Sequence, residues 1–211
     1  MLSFFAATFA TIFSVIDPIG IAPIFLSLTP RMTAEFRVQT IGRAVIIAGI
    51  ILYAFAAAGR GLLTSLGITV PAFSMAGGIL LLLVAVDMLF ARISRTRETP
   101  EEQEEAQEST DISVFPLATP LIAGPGAIVT VVLYMSQASG NVGNIVAVLA
   151  SILIALIACY ISMRLSTLLL RVLGETGVNV IGRVMGILLA ALAIQFLLNG
   201  ISGYYHNVLA H

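Results

Sequence analysis

Asp17-Pro18-Ile19-Gly20-Ile21-Ala22-Pro23 sets an acid, two prolines and a glycine inside an otherwise apolar run. The same punctuation returns 102 residues later in Thr119-Pro120-Leu121-Ile122-Ala123-Gly124-Pro125-Gly126. In each stretch the prolines are five residues apart and follow a residue able to cap a helix. Proline lacks an amide hydrogen and crowds the preceding turn, so both helices are expected to break. Pro18 cannot bond the carbonyl of Ser14, nor Pro23 that of Ile19; Pro120 frees Pro116 and Pro125 frees Leu121. A helix restarting beyond a break offers amide donors backed by its dipole, which suits a carboxylate. The freed carbonyls suit an ammonium group or a cation, and an amino-acid zwitterion needs both close together. Gly20, Gly124 and Gly126 have no side chain to keep a small ligand off the main chain.

Asp17 is the one acid well inside an apolar run. An ionised Asp at the centre of a membrane helix costs about 3 kcal/mol on insertion scales, so it needs a partner, water or a proton. Two compatible readings stay open: an N-cap with Pro18 at the first helical position, or a group that meets the substrate amine or carries a coupling proton. Thr119-Pro120 reads as the matching cap. Gln195 and Asn199, in the last apolar run, are secondary candidates, with interhelical hydrogen bonding as their plainer role. Asp87, near Arg92, reads as an interfacial charge.

Other chemistry is not indicated. Ser/His/Asp, HExxH and Walker patterns are absent, so no enzyme and no cofactor is expected. An ATP-driven pump would need a separate nucleotide-binding subunit. His206 and His211 have no companion ligands, so no metal is expected. Cys159, the single cysteine, sits among apolar neighbours and reads as packing. No basic patch suggests nucleic acid.

The elements that must position the two breaks are membrane spans. Of 211 residues, 59% are hydrophobic and 10% charged, against about a quarter charged in soluble domains. Six runs approach the roughly 20 residues that cross a bilayer: about 2–29, 42–60, 68–88, 113–136, 145–164 and 179–203. The first sixteen residues are apolar without a basic start, which favours a first span over a cleaved signal. All ten basic residues are arginines. Arg31, Arg37 and Arg43 flank the first connection, Arg92, Arg95 and Arg97 the third, and Arg164, Arg171 and Arg183 the fifth; the other two hold only Arg60. The positive-inside rule makes the rich connections cytoplasmic and puts both termini outside. The acidic connection, with Glu98 to Asp111, is then a cytoplasmic loop. Within it, Thr99-Pro100-Glu101-Glu102 has the form of a helix start.

Spans three and six also align, at an offset of 110: Ala72 and Ala76 match Gly182 and Gly186, a small-xxx-small face expected to pack within the bundle. The chain therefore divides into a three-span repeat over 1–95, the acidic loop 96–111 and a second repeat over 112–211, in one all-α membrane domain. Three spans reverse direction, so the repeats would be inverted, a recurring design of alternating-access transporters. One count resists this symmetry. Asp17 lies deep from the outer end, whereas Thr119 follows Asp111 by only eight residues.

Asp-Pro-Ile-Gly-x-x-Pro, together with Pro116-Leu117-Ala118-Thr119-Pro120-Leu121-Ile122-Ala123-Gly124-Pro125-Gly126-Ala127-Ile128, resembles the MarC family, which includes SnatA-type small neutral amino acid transporters. Ala76-Gly77-Gly78-Ile79-Leu80-Leu81-Leu82 and the end of the chain, from Gly186 to Gln195-Phe196 and Asn199-Gly200-Ile201, are similar to it as well. The resemblance runs nearly end to end. It implies a six-span inner-membrane protein and transport of glycine, alanine or similar amino acids, with proton coupling.

The leading expectation is a secondary transporter of small neutral amino acids. Asp17, Pro18, Gly20, Pro23, Thr119, Pro120, Gly124, Pro125 and Gly126 would form its site, Asp17 being the candidate for proton coupling. A membrane scaffold without transport is the alternative. A drug exporter is a weaker third, because aromatics are 8% and tryptophan is absent. The expected partners are the substrate and the bilayer, with self-association left open.

Overall fold

The structure, a computed structural model, describes residues 2–30, 32–90, 112–138 and 140–209. Arg31, Arg92, Arg95, Arg97, the acidic residues from Glu98 to Asp111 and the Thr99-Pro100 helix start lie outside the described residues. Among the described residues the secondary structure is helical, without strands. The elements are α1 (Leu2–Ile16), α2 (Ile21–Leu28), α3 (Ala34–Ser65), α4 (Val70–Leu89), a wide-turn segment (Ser113–Ile122), α5 (Pro125–Ala138), α6 (Val142–Arg164) and α7 (Ser166–Leu209).

Local signals set most of the ends. Thr33 caps α3, Thr69 caps α4 and Asn141 caps α6, each side chain accepting the amide hydrogen three residues on. Pro71 falls in the first turn of α4, where its missing donor costs nothing. At the end of α3, Gly67 takes φ 69°. Ile68 N then donates to Leu63 O at 2.9 Å and Gly67 N to Thr64 O at 3.1 Å, which satisfies the last carbonyls. Gly174, with φ 64° and ψ 172°, interrupts α7, leaving Thr176–His206 as its apolar span.

Five spans are long and apolar enough to cross a membrane: Leu2–Leu28, Ala34–Ser65, Val70–Leu89, Val142–Arg164 and Thr176–His206. A sixth joins Ser113–Ile122 to Pro125–Ala138 across a 54° bend. All six expected runs are therefore helical, and the two expected breaks fall in the first and fourth.

The broken spans are also the most enclosed. In the first, 56% of the apolar window is buried inside the protein, against 28% in the last. Nine of the 14 residues of α5 are buried, so it is wrapped on nearly every side. α1 and α2 pack against α6, while the wide-turn segment and α5 pack against α3. α4 runs along α7, α3 along α6, and α5 also touches α1, α4 and α6.

The α4–α7 seam is close because it is built on small residues. A Cβ added to Gly78 would lie 2.8 Å from Ala193 O, and one on Gly186 would lie 3.0 Å from Met88 Cβ. Ser74 Oγ also donates to Phe196 O across this seam at 2.8 Å. Of the small-xxx-small faces expected to pack within the bundle, Ala72 with Ala76 and Gly182 with Gly186, only Gly186 is closely packed. Ala72 and Ala76 are exposed, and nothing lies within 4 Å of a Cβ on Gly182.

Candidate functional site

Asp17 ends α1. Its amide donates to Phe13 O at 2.9 Å, closing the last helical turn. Its φ is then 52°, in the left-handed region that Asp tolerates better than most residues. The chain turns through Pro18, Ile19 and Gly20 into α2, and Asp17 works as the cap of that restart. Oδ1 accepts Gly20 N–H at 3.1 Å and the carbonyl accepts Ile21 N–H at 3.2 Å. The side chain is buried, 6% exposed. Pro23 falls in the first turn of α2 and does not break it. Contrary to the sequence reading, Ile19 O is not freed, because Ala22 N donates to it at 3.3 Å.

The second break is built differently. Prolines at 116 and 120 hold Ser113–Ile122 in a widened coil, with Phe115 and Thr119 in extended conformation. Its amides reach back five residues: Leu117 N to Ile112 O at 3.3 Å and Ala123 N to Ala118 O at 2.8 Å. The helix restarts at Pro125, with Gly124 before it, and Ile128 N donates to Gly124 O at 3.0 Å. The expected cap at Thr119-Pro120 is therefore displaced to Gly124-Pro125. Gly124 packs so closely over Pro120 O that a side chain there would strike it.

The two breaks adjoin. A Cβ on Gly126 would lie 3.3 Å from Val15 Cγ1 of α1 and 3.2 Å from Leu81 Cδ2 of α4. From this point α1 and α5 run side by side in opposite directions. Thr11 Oγ1 and Tyr134 Oη share a hydrogen bond of 2.8 Å, and the Phe4 and Tyr134 rings meet edge to face at 5.9 Å. The longer half-helices thus lie together on one side of the breaks. The shorter pieces, 8 residues in α2 and 10 in Ser113–Ile122, lie toward the other.

Beside the breaks is a small cavity of about 60 Å³, walled by residues 120–122 and 124–127, by Val15 and by Leu80 and Val84 of α4. At roughly 10–15 Å³ for each water-sized sphere, it has room for a few waters or one very small solute. Drug-sized ligands need about 300 Å³ or more.

Of the sequence-predicted residues, Pro120, Gly124, Pro125 and Gly126 line this cavity. Asp17, Pro18, Gly20, Pro23 and Thr119 do not; the first break reaches the wall through Val15. Gln195 and Asn199 stand apart. They are exposed on α7, and Gln195 Nε2 donates to Asn199 Oδ1 at 2.8 Å, within one helix rather than between two. Val15, Leu80, Val84, Leu121, Ile122 and Ala127 are the lining residues that the sequence reading missed, since each is one aliphatic residue among many.

A family model described as MarC family integral membrane protein matches residues 2–205. The chain belongs to the MarC family. Similar proteins include a UPF0056 membrane protein of Methanocaldococcus jannaschii, 38% identical over 99% of this chain and 91% of its own length. UPF0056 membrane protein YvbG of Bacillus subtilis is 36% identical over 97% of each chain. UPF0056 membrane protein YhcE of Escherichia coli is 34% identical over 95% of this chain and 93% of its own. No solved structure matches the chain. With these relatives and its apolar spans, the protein is an integral membrane protein.

Proposed function

We propose that this MarC protein is a secondary transporter of small neutral amino acids, glycine or alanine in size, and that it moves them unchanged. One observation carries the reading: the second helix break walls a cavity of about 60 Å³ inside the protein, and Val15, at the end of α1 just before the first break, closes it from the other side. The amides of Gly126 and Ala127 open α5 with no earlier turn to bond, and suit a carboxylate. A cavity this small favours the smallest zwitterions over drug-like molecules.

The proposal includes two inverted three-span repeats that rock about the breaks. The pairing of helices supports it: span one packs on five and span four on two, while three meets six and two meets five. That is the packing a pseudo-two-fold axis produces, while the depths of the two breaks depart from it. The orientation proposed is inner-membrane, with both termini outside and the acidic connection cytoplasmic. It rests on the arginine bias, to which the antiparallel packing of α3 and α6 adds Arg43 and Arg164 at one common end. Both breaks would then sit nearer the cytoplasmic face. Asp17 is proposed to hold a coupling proton as well as capping α2.

Counterflow of labelled glycine or alanine in proteoliposomes tests this. The wild type is expected to exchange, and Gly124→Leu, which strikes Pro120 O, is expected to abolish exchange. An absence of flux for every small neutral amino acid would leave a scaffold role. Uptake undisturbed by collapse of the pH gradient would remove the proton from the scheme.

A further inference from the structure

On the flank away from the breaks, α3 and α6 form a groove of about 480 Å³ whose lining is almost wholly apolar. Its floor is low because Gly49 has no side chain: a Cβ there would lie 3.2 Å from Leu156 Cδ1. Ile46 and Leu153 form outward walls, 64% and 51% exposed. One end is closed by Tyr53, whose hydroxyl donates to Leu149 O at 3.0 Å. The other end is at Tyr160, which is 36% exposed.

The helices are antiparallel, and their register fixes what stands at the Tyr160 end. Tyr53 pairs with Leu149 and Gly49 with Leu156, so the levels of Arg43 and Arg164 nearly coincide. Arg43 is three residues before Ile46, and Arg164 is four after Tyr160, so both continue the lining faces of their helices. Both arginines are exposed. From Tyr53 to Val45 the groove is about 12 Å long at 1.5 Å per residue. That is most of one leaflet's hydrocarbon, about 15 Å.

We infer that this groove binds one anionic phospholipid, an acyl chain lying between α3 and α6 and the phosphate at Arg43 and Arg164. An apolar slot of leaflet length ending in two guanidinium groups matches both parts of such a lipid. Arginine forks suit phosphate oxygens, and basic sites between membrane helices select anionic headgroups.

The test is native mass spectrometry of the full chain released from vesicles of phosphatidylglycerol and phosphatidylcholine in equal parts. The wild type is expected to retain one phosphatidylglycerol per chain, with a preference of about fivefold or more. Arg43→Gln with Arg164→Gln is expected to bring that preference near unity, while Arg60→Gln leaves it unchanged. Leu153→Trp, which fills the slot, is expected to lose both lipids; should that variant not fold, the arginine pair decides alone. Unchanged retention in the double variant overturns the inference, as does an equal fall in Arg60→Gln. A doubled mass with no lipid retained also overturns it, in favour of self-association.

Discussion

Gly20 gives its amide hydrogen to Asp17 Oδ1 at 3.1 Å and leaves no space for a side chain against that same carboxylate. Gly20 itself has φ −67° and ψ −24°, a helical conformation open to any residue. The glycine is thus required by Asp17 and not by the backbone.

Two non-additive substitutions follow from that dependence. Gly20→Ala is expected to cost about 1–3 kcal/mol, because it displaces a buried acceptor from its donor. In an Asp17→Gly background, which tolerates the positive φ, the same change is expected to cost almost nothing. Asp17→Asn should keep the cap and most of the stability, since Asn both accepts the amide and tolerates this conformation. Thermal unfolding of the four proteins in one detergent measures the coupling. Equal costs of Gly20→Ala in both backgrounds would refute it.

The first break was legible because proline acts locally: Pro18 ends α1 whatever surrounds it. At the second the bend falls inside the expected stretch from Thr119 to Gly126, and only the cap moves, by five residues, from Thr119-Pro120 to Gly124-Pro125. Pro116, Pro120 and Pro125 compete there, and packing against α3 decides which one opens the new helix. The resisting count of depths is also explained. The two breaks lie at one level, with the shorter pieces on the same side, and not at mirrored depths. Leu80 and Val84 could not be found in the sequence, because a uniformly apolar span gives a core-facing residue no contrast with a lipid-facing one. The Gln195–Asn199 bond could have been: spacing of four on one helix is the signature of such a pair.

If the cavity is the substrate site, its walls set size selectivity. Val84→Ala enlarges it and is expected to raise alanine or serine flux relative to glycine. Gly126→Val should lower all flux at least tenfold, since even a Cβ there is tight against Val15 and Leu81. Competitive counterflow with a size series of amino acids measures both. An unchanged series in Val84→Ala would show that substrate does not pass this wall.

Tyr134 ties α5 to its neighbours in two separable ways. Tyr134→Phe removes the bond to Thr11, whose hydroxyl keeps Ala7 O at 2.8 Å. The expected cost is about 0.6 kcal/mol, the mean for hydrogen bonds between membrane helices. Tyr134→Ala also removes the ring contacts to Phe4 and Phe196, and is expected to cost about 3–5 kcal/mol. Unfolding in mixed micelles of graded denaturing detergent separates the two. A Phe variant as damaged as the Ala variant would place the stabilisation in the hydroxyl.

The α4–α7 seam predicts a contrast between Gly78 of α4 and Gly182 of α7. A Cβ on Gly78 would meet both Ala193 O and Leu197 Cγ at 2.8 Å, and a backbone oxygen cannot step aside as a side chain can. Gly78→Leu is therefore expected to prevent stable folding or to cost several kcal/mol by overpacking, above the usual range of about 1–3. Gly182 has nothing within 4 Å, so Gly182→Leu should shift stability by no more than about 0.5 kcal/mol. A large loss at Gly182 would mean that its open face is covered in the membrane. Cross-linking of single-cysteine variants at position 182, made in a Cys159→Ala background, would then show whether a second chain covers it.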